Sequence, residues 1–324
     1  MTQATRSVKT GTDEPSPTAP IERLRENIAK VFLGSRASID TLICCLLARG
    51  HVLIEDVPGV GKTVLAMALA RSIDCVFSRI QLTPDLLPSD VLGVSIFDRG
   101  TGEFVFKPGP IFANIVLTDE INRTPPRTQT ALLEAMSEGS VSVDGKTTRL
   151  DPPFMVVATQ NPSDYEGTYP LPENQLDRFL MRVSLGYPSP ADEARVLDLR
   201  PASTSLPELR PVLSRAEVLT LQERVDGARV DRSLLEYIVA FANATRRDDR
   251  LRVGVSPRGA LALAQVARAT AVFQGRDYVV PDDILRHVIE VCAHRVIVRS
   301  SFTTASEPPA RILQSILETI ASPA

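Results

Sequence analysis

Tryptophan is absent, aromatic residues make up 5% of the chain, and its 324 residues include only four cysteines and three histidines. This scarcity of soft and imidazole ligands removes whole classes of site. Cys44, Cys45, Cys75 and Cys292 contain one adjacent pair and no C-x-x-C spacing, so neither a cysteine metal centre nor a disulfide framework is expected. Cys44 and Cys45 fall in an apolar helical pattern and read as small core residues. His51, His287 and His294 are scattered and read as packing or surface residues rather than ligands. No apolar run approaches the roughly 20 residues that cross a bilayer, and the first residues lack the apolar region of a signal peptide. Neither export nor membrane anchoring is expected, which places the chain in the cytoplasm. Long basic runs are missing too, and the net charge is −3, which argues against a constitutive nucleic-acid binder while leaving room for a local basic pore.

What is present is a globular composition, 44% hydrophobic and 23% charged, in a length that suits one large domain or two ordinary ones. The most informative stretch is HVLIEDVPGVGKT, residues 51–63. Strand-like Val52, Leu53 and Ile54 break into a glycine-containing turn, and an apolar helical pattern (Val64, Leu65, Met67, Leu69) follows. That strand–loop–helix setting is the one a phosphate-binding loop needs. Residues Pro58, Gly59, Val60, Gly61, Lys62, Thr63 and Val64 form the expected cradle. Glycines there let backbone N–H groups close on phosphate oxygens, and the helix aims its positive end at them. Lys62 is expected to reach the outer phosphates of ATP, and Thr63 to hold Mg²⁺. The alternative, a helix capped after an ordinary turn, leaves the coincidence of Gly59, Gly61, Lys62 and Thr63 with these flanks unexplained. The pattern G-x-x-x-x-G-K-[ST] has glycine where this chain has Asp56. A carboxylate there repels triphosphate, so Asp56 must point away or the loop must start differently.

Residues 1–20, almost without apolar side chains, read as a disordered tail. Ile21, Leu24, Ile28, Val31 and Phe32 predict a helix stopped by Gly34, and Ile39, Leu42, Ile43, Leu46 and Leu47 predict a second ended by Gly50. Apolar strands at Val52–Ile54, Ile115–Leu117, Phe154–Ala158 and Leu180–Leu185, with one more around Val76–Leu82, suit an α/β fold with a parallel sheet covered by helices. Val94–Phe97 with Glu103–Phe106, and Ser140–Val143 with Thr147–Leu150, read as two inserted hairpins, the second turning at Asp144-Gly145. Tyr187-Pro188-Ser189-Pro190 marks a boundary and 201–211 a loop. Beyond it only helices are expected, at Ala216–Val225, Ser233–Thr245, Pro257–Phe273, Asp282–Val291 and Ala310–Ile320, with starts at Ser256-Pro257 and Pro281-Asp282. The expected division is a tail at 1–20, a nucleotide-binding α/β domain at 21–190 and an all-helical domain at 191–324.

The strand Ile115–Leu117 continues into Thr118-Asp119-Glu120. In a parallel sheet the strand ends converge on the phosphate loop, so Asp119 is expected beside Thr63, sharing Mg²⁺, and Glu120 is expected to polarise the attacking water. Asn161, after the strand at 154–158, either contacts the γ-phosphate or simply opens a turn before Pro162. Arg178 and Arg258, taken singly, read as surface arginines. Arg258 gains weight from the first turn of a helix, where the dipole disfavours a cation unless an anion compensates.

Together, HVLIEDVPGVGKT, LTDEINRTPPRTQTALLEAMSEG, ATQNP, LPENQLDRF and GVSPRGA resemble the MoxR family of AAA+ ATPases over roughly residues 21–300. The resemblance implies an ATP- and Mg²⁺-dependent hydrolase with an all-helical lid. It makes Asp119 and Glu120 the Walker B pair and Asn161 the first sensor. Arg178 becomes a finger acting on the neighbouring subunit's nucleotide, and Arg258 the second sensor, with cis or trans action left open. It turns the Asp56 departure into a family habit, sets Gly34 near the adenine, and turns both hairpins toward a ring pore or client. It further implies a homo-oligomer, expected to be a hexamer, that remodels partner complexes, often with von Willebrand factor A domains. The alternatives are a ring ATPase acting on DNA, for which Lys107, Lys146 and Arg149 are the supporting residues, and a non-hydrolysing nucleotide switch. Missing aromatic–basic interleaving weighs against the first, and Glu120 against the second.

Overall fold

A computed structural model describes residues 17–162, 167–299 and 307–323. Most of the expected tail, residues 1–16, lies outside the described residues, but its end does not: α1 (Ala19–Ala29) begins inside it, with Pro20 in the first turn. Then come α2 (Arg36–Leu47), β1 (Val52–Glu55), α3 (Lys62–Arg71), β2 (Ile73–Asp74), β3 (Phe77–Gln81) and α4 (Pro88–Leu92). The first hairpin is β4 (Gly93–Asp98) with β5 (Glu103–Pro108). After β6 (Ile115–Asp119) and α5 (Pro126–Glu138) comes the second, β7 (Ser140–Val143) with β8 (Lys146–Arg149). β9 (Met155–Gln160), α6 (Glu173–Leu176) and β10 (Met181–Val183) complete the sheet-forming part.

The sheet has five parallel strands in the order β10-β1-β9-β6-β3. Alternate side chains of its central strands enter two separate cores. Val52, Ile54, Ile115, Leu117, Met155 and Val157 pack toward α1, α2 and α3, whereas Leu53, Val116, Val156 and Ala158 pack toward α5. A strand covered on both faces needs apolar residues at every position, which is why these segments read as unbroken apolar runs. Because all strands run the same way, their C-terminal ends form one edge. Glu55 stands opposite Gln160, and Gln81 opposite Asp119.

The remainder is α7 (Pro190–Leu199), α8 (Ser205–Glu208), β11 (Leu213–Ser214), α9 (Arg215–Gly227), α10 (Arg232–Arg247), β12 (Leu251–Val253), α11 (Pro257–Phe273), α12 (Pro281–Leu285), α13 (Val288–Cys292), β13 (Ile297–Val298) and α14 (Pro309–Glu318). The region is helical, with four departures from expectation. A short antiparallel pair, β12 with β13, lies within it, and β11 pairs back with β2. Two further helices are unexpected: α7 lies between the expected boundary and loop, and α8 lies within the loop. The single helix expected at Asp282–Val291 is broken near His287 (ψ 14°). The apolar spacing 284, 288, 291 is helical throughout; both segments pack on α11, and beyond the bend α13 packs on β10 and α14 as well. Ser256 caps α11 as expected, its Oγ accepting from Gly259 N at 3.1 Å. Cys44 and Cys45 are buried, as expected, and so are all three histidines.

Candidate functional site

The phosphate loop hangs between β1 and α3. Gly59 and Gly61 hold φ of 88° and 91°, conformations that a side chain makes costly. α3 starts directly after Gly61 with no side-chain cap and no acidic residue in its first turn. Its first N–H groups and positive dipole end therefore face the loop, ready for an anion. Lys62 Nζ rests on the carbonyls of Asp56 and, at 3.0 Å, Gln160. The ring of Phe32 lies against Gly61 and Gly34 wraps the same ring, which brings the segment around Gly34 to the loop.

Asp56 points away from the loop. Its Oδ2 accepts from Ser184 Oγ, Leu185 N and Gly186 N, each at 2.8 Å, and its Oδ1 from Val57 N at 2.8 Å. Partial burial acts to raise its pKa, but the hydrogen bonds from Gly186, Ser184, Val57 and Leu185 outweigh it and hold the carboxyl below its ordinary value. The missing glycine is thus an anchor that ties the loop to the segment leaving β10. Asp56→Asn puts an amide where three donors converge, and we expect it to cost about 1–3 kcal/mol of stability at neutral pH. A carboxyl whose pKa is depressed by folding stabilises above its unfolded pKa and loses that contribution as pH falls through the folded value. The gap between wild type and variant in denaturation should therefore narrow in acid; a gap independent of pH would contradict the anchor.

At the end of β6, Asp119 Oδ1 lies 3.3 Å from Thr63 Oγ1 and accepts from Thr159 Oγ1 at 3.3 Å. Its Oδ2 pairs with Arg79 Nε at 2.7 Å. Glu120 follows with φ 59°, a left-handed conformation that costs a non-glycine residue about 1–3 kcal/mol and that gathers at functional sites. Its amide donates to Thr159 Oγ1 at 3.1 Å, and its Oε2 meets Arg123 Nε at 3.0 Å and Gln81 Nε2 at 3.4 Å. Asn161, buried at the end of β9, has its carbonyl 3.4 Å from Asn122 Nδ2. The fold thus brings the loop, Asp119, Glu120 and Asn161 to one edge of the sheet.

Arg178 and Arg258 are not on that edge. Leu180 N donates to the carbonyl of His51, the residue before β1, so the turn carrying Arg178 sits where the strands begin. Gly50 lacks a Cβ where Leu180 packs. Arg178 Nη1 donates to Leu133 O and Ser137 Oγ of α5, both at 2.8 Å. Arg258 borders the same cavity of about 340 Å³, together with Arg178, Asp177, Arg295, Gly50 and His51. The anion expected to offset Arg258 is the Asp177 carboxylate, 3.5 Å from its Nε. At about 3.3 Å of rise per residue, four-residue β1 alone puts roughly 10 Å between this edge and the phosphate loop.

Arg79 and Arg295 lie outside the quoted motifs, and Thr159 and Asp177 lie within ATQNP and LPENQLDRF without a role that the sequence alone assigns. Arg79 and Thr159 reach Asp119 only because β3 and β9 flank β6, an order that strand periodicity does not disclose.

Residues 51–181 match the family model described as "ATPase family associated with various cellular activities (AAA)", and residues 243–316 match the AAA lid domain. The "Uncharacterized protein YeaC" of Bacillus subtilis (strain 168) is 50% identical over 298 residues, covering 92% of this chain and 93% of that protein. The "Chaperone MoxR1" of Mycobacterium tuberculosis is 39% identical over 312 residues, covering 94% and 82%. A solved structure from Cytophaga hutchinsonii carrying an ATPase assignment superposes with a TM-score of 0.87 at 36% identity, covering 95% of this chain and 96% of that one.

Proposed function

The chain belongs to the MoxR family of AAA+ ATPases, and from that premise we propose that it hydrolyses ATP at sites shared between neighbouring copies and thereby remodels partner proteins. The single observation carrying the shared site is the separation of its parts. The phosphate loop with Asp119, Glu120 and Asn161 lies at one edge of the sheet, whereas Arg178 and Arg258 line a cavity at the other. Neither arginine serves its own loop, so both act in trans on the next copy's nucleotide.

The roles follow from position. The backbone of Pro58–Val64 and the start of α3 cradle the phosphates, and Lys62 exchanges its two carbonyl partners for outer phosphate oxygens. Thr63 Oγ1 and Asp119 Oδ1, 3.3 Å apart, suit a small hard cation that keeps most of its waters. These two oxygens would hold Mg²⁺, which would supply neutralisation of charge on the phosphates. Glu120 aligns and deprotonates the attacking water, and Asn161 orients it or the γ-phosphate. The products are ADP and phosphate.

A contact between the loop edge of one copy and the arginine edge of the next is head-to-tail and closes into a ring, which we propose is a hexamer. Clients meet the β4–β5 hairpin, where Ile96, Phe97 and Phe104 are exposed, Phe104 by 70%. An apolar tip favours protein over DNA, despite Lys107, Lys146 and Arg149 nearby. Proteins with von Willebrand factor A domains are the proposed partner class. No helix among the described residues is long and apolar enough to cross a membrane, and the four cysteines are free, in keeping with action in the cytoplasm. Turnover per chain should rise with protein concentration as copies assemble; a rate per chain unchanged on dilution into the monomeric range would remove the shared site.

A further inference from the structure

Resting on that shared-site reading, we propose that Arg295 and Asp177 are positioning residues that lock Arg178 and Arg258 into one unit presented to the neighbouring copy's nucleotide. Arg295 closes the 3₁₀ turn Ala293–Arg295 after α13, and its side chain is only 3% exposed. Most of its guanidinium contacts go to the turn that carries Arg178, and Nη1 also meets His294 Nε2 at 2.9 Å. Nη2 donates to the carbonyls of Asp177 at 3.2 Å and Phe179 at 2.7 Å, and Nη1 to those of Leu180 at 3.1 Å and of Val291. Nε donates to Asp177 Oδ1 at 2.7 Å. A planar fork with five fixed donors can bind three carbonyls of one turn together with a carboxylate, which a lysine cannot do.

With those carbonyls held on the Arg295 side, the Arg178 side chain is directed to the cavity shared with Arg258. Asp177 makes the second link. While Oδ1 holds Arg295, Oδ2 is 3.5 Å from Arg258 Nε, so one carboxylate joins a buried arginine to an exposed one. Gly259 makes room for the arrangement: a Cβ there would stand 3.1 Å from Arg295 Cδ and 3.0 Å from Val255 Cγ1. Three elements distant in sequence, the turn after α6, the start of α11 and the turn after α13, thus meet around the Arg295–Asp177 pair. A purely structural ion pair has no need of a second oxygen on Arg258, or of three carbonyls flanking the residue proposed to cross the interface.

The test mixes full-length variants. Glu120→Gln lacks its own water-activating carboxylate but keeps its arginines; Arg178→Ala has the opposite defect. Asp177→Asn should bind ATP at its own loop as wild type does and turn over about 10- to 100-fold slower, the scale on which displacing a catalytic group by an ångström acts. Mixed one to one with Glu120→Gln, it should recover up to about a quarter of wild-type turnover, because in a head-to-tail ring that fraction of interfaces joins an intact loop to intact arginines. Mixed with Arg178→Ala, it should recover nothing. Gly259→Ala, which keeps every charge, should show the same pattern more weakly, and recovery beside Glu120→Gln itself reports a folded partner. Recovery of Asp177→Asn with Arg178→Ala, or wild-type turnover of Asp177→Asn alone, would overturn the positioning role and leave the shared site standing. Failure of Glu120→Gln and Arg178→Ala to restore each other would remove the shared site and this proposal with it.

Discussion

Arg178→Ala is expected to lower ATP turnover about 10³- to 10⁵-fold, the range that a trans arginine supplies in phosphoryl transfer, while nucleotide affinity stays near wild type. The split follows from where the residue sits. Arg178 donates to Leu133 O and Ser137 Oγ of its own chain, away from its own phosphate loop, so its loss leaves binding intact. Its replacement also costs little stability, because its side chain is only partly buried, Ser137 is exposed, and the Leu133 carbonyl keeps its bond from Ser137 Oγ. In the transition state a guanidinium stabilises charge that the ground state has not yet developed, which is why kcat should fall without a matching change in Kd. Arg258→Ala, from the same cavity, should move in the same direction. Steady-state rates beside equilibrium binding decide it. Turnover of Arg178→Ala within tenfold of wild type would sink the trans role.

Glu120→Gln is expected to slow the chemical step about 10²- to 10⁴-fold, the contribution typical of a positioned general base, and to retain bound ATP. Glutamine keeps the size of the side chain but cannot take a proton from water. The fold should tolerate it: the ion pair to Arg123 is exposed on both sides, 38% and 45%, and pairs of that kind contribute little. The anchor of the Glu120 backbone, its amide on Thr159 Oγ1, does not depend on the side chain. Single-turnover hydrolysis of prebound ATP separates this defect from loss of binding. Equal single-turnover rates in wild type and variant would instead favour a nucleotide switch that does not rely on hydrolysis at this residue.

The phosphate loop and the ends of β6 and β9 are legible in the sequence because each depends on local rules. Glycines free the backbone at 59 and 61, an apolar run signals a strand covered on both faces, and a polar residue after it marks the strand end. The helix starts at Ser256 and Pro281 are readable for the same reason, since a cap is chosen by its nearest neighbours. Asp56 marks the limit of such rules. The residue is plainly out of place in the motif, but its explanation, the donors Ser184, Leu185 and Gly186, lies 128 to 130 residues further on. The break at His287 leaves no trace in the sequence because the apolar spacing stays helical across it, while the contacts of α13 with β10 and α14, added to the one both segments make with α11, are tertiary.

The sequence by itself therefore determined the nucleotide chemistry: a triphosphate cradle, a pair of carboxylates at a strand end and two arginines, each carried by its own short motif. Only the tertiary structure decided how those parts divide between edges. The strand order and the parallel register bring residues 55, 119 and 160 to one end of the sheet, while the turn at 177–180 is held at the other by His51 and Arg295. Local propensity says what a residue can do. Which surface it faces is set by contacts among segments more than 100 residues apart, and here those contacts hold the turn carrying Arg178 at the sheet edge opposite its own loop, the placement on which the proposed action in trans rests.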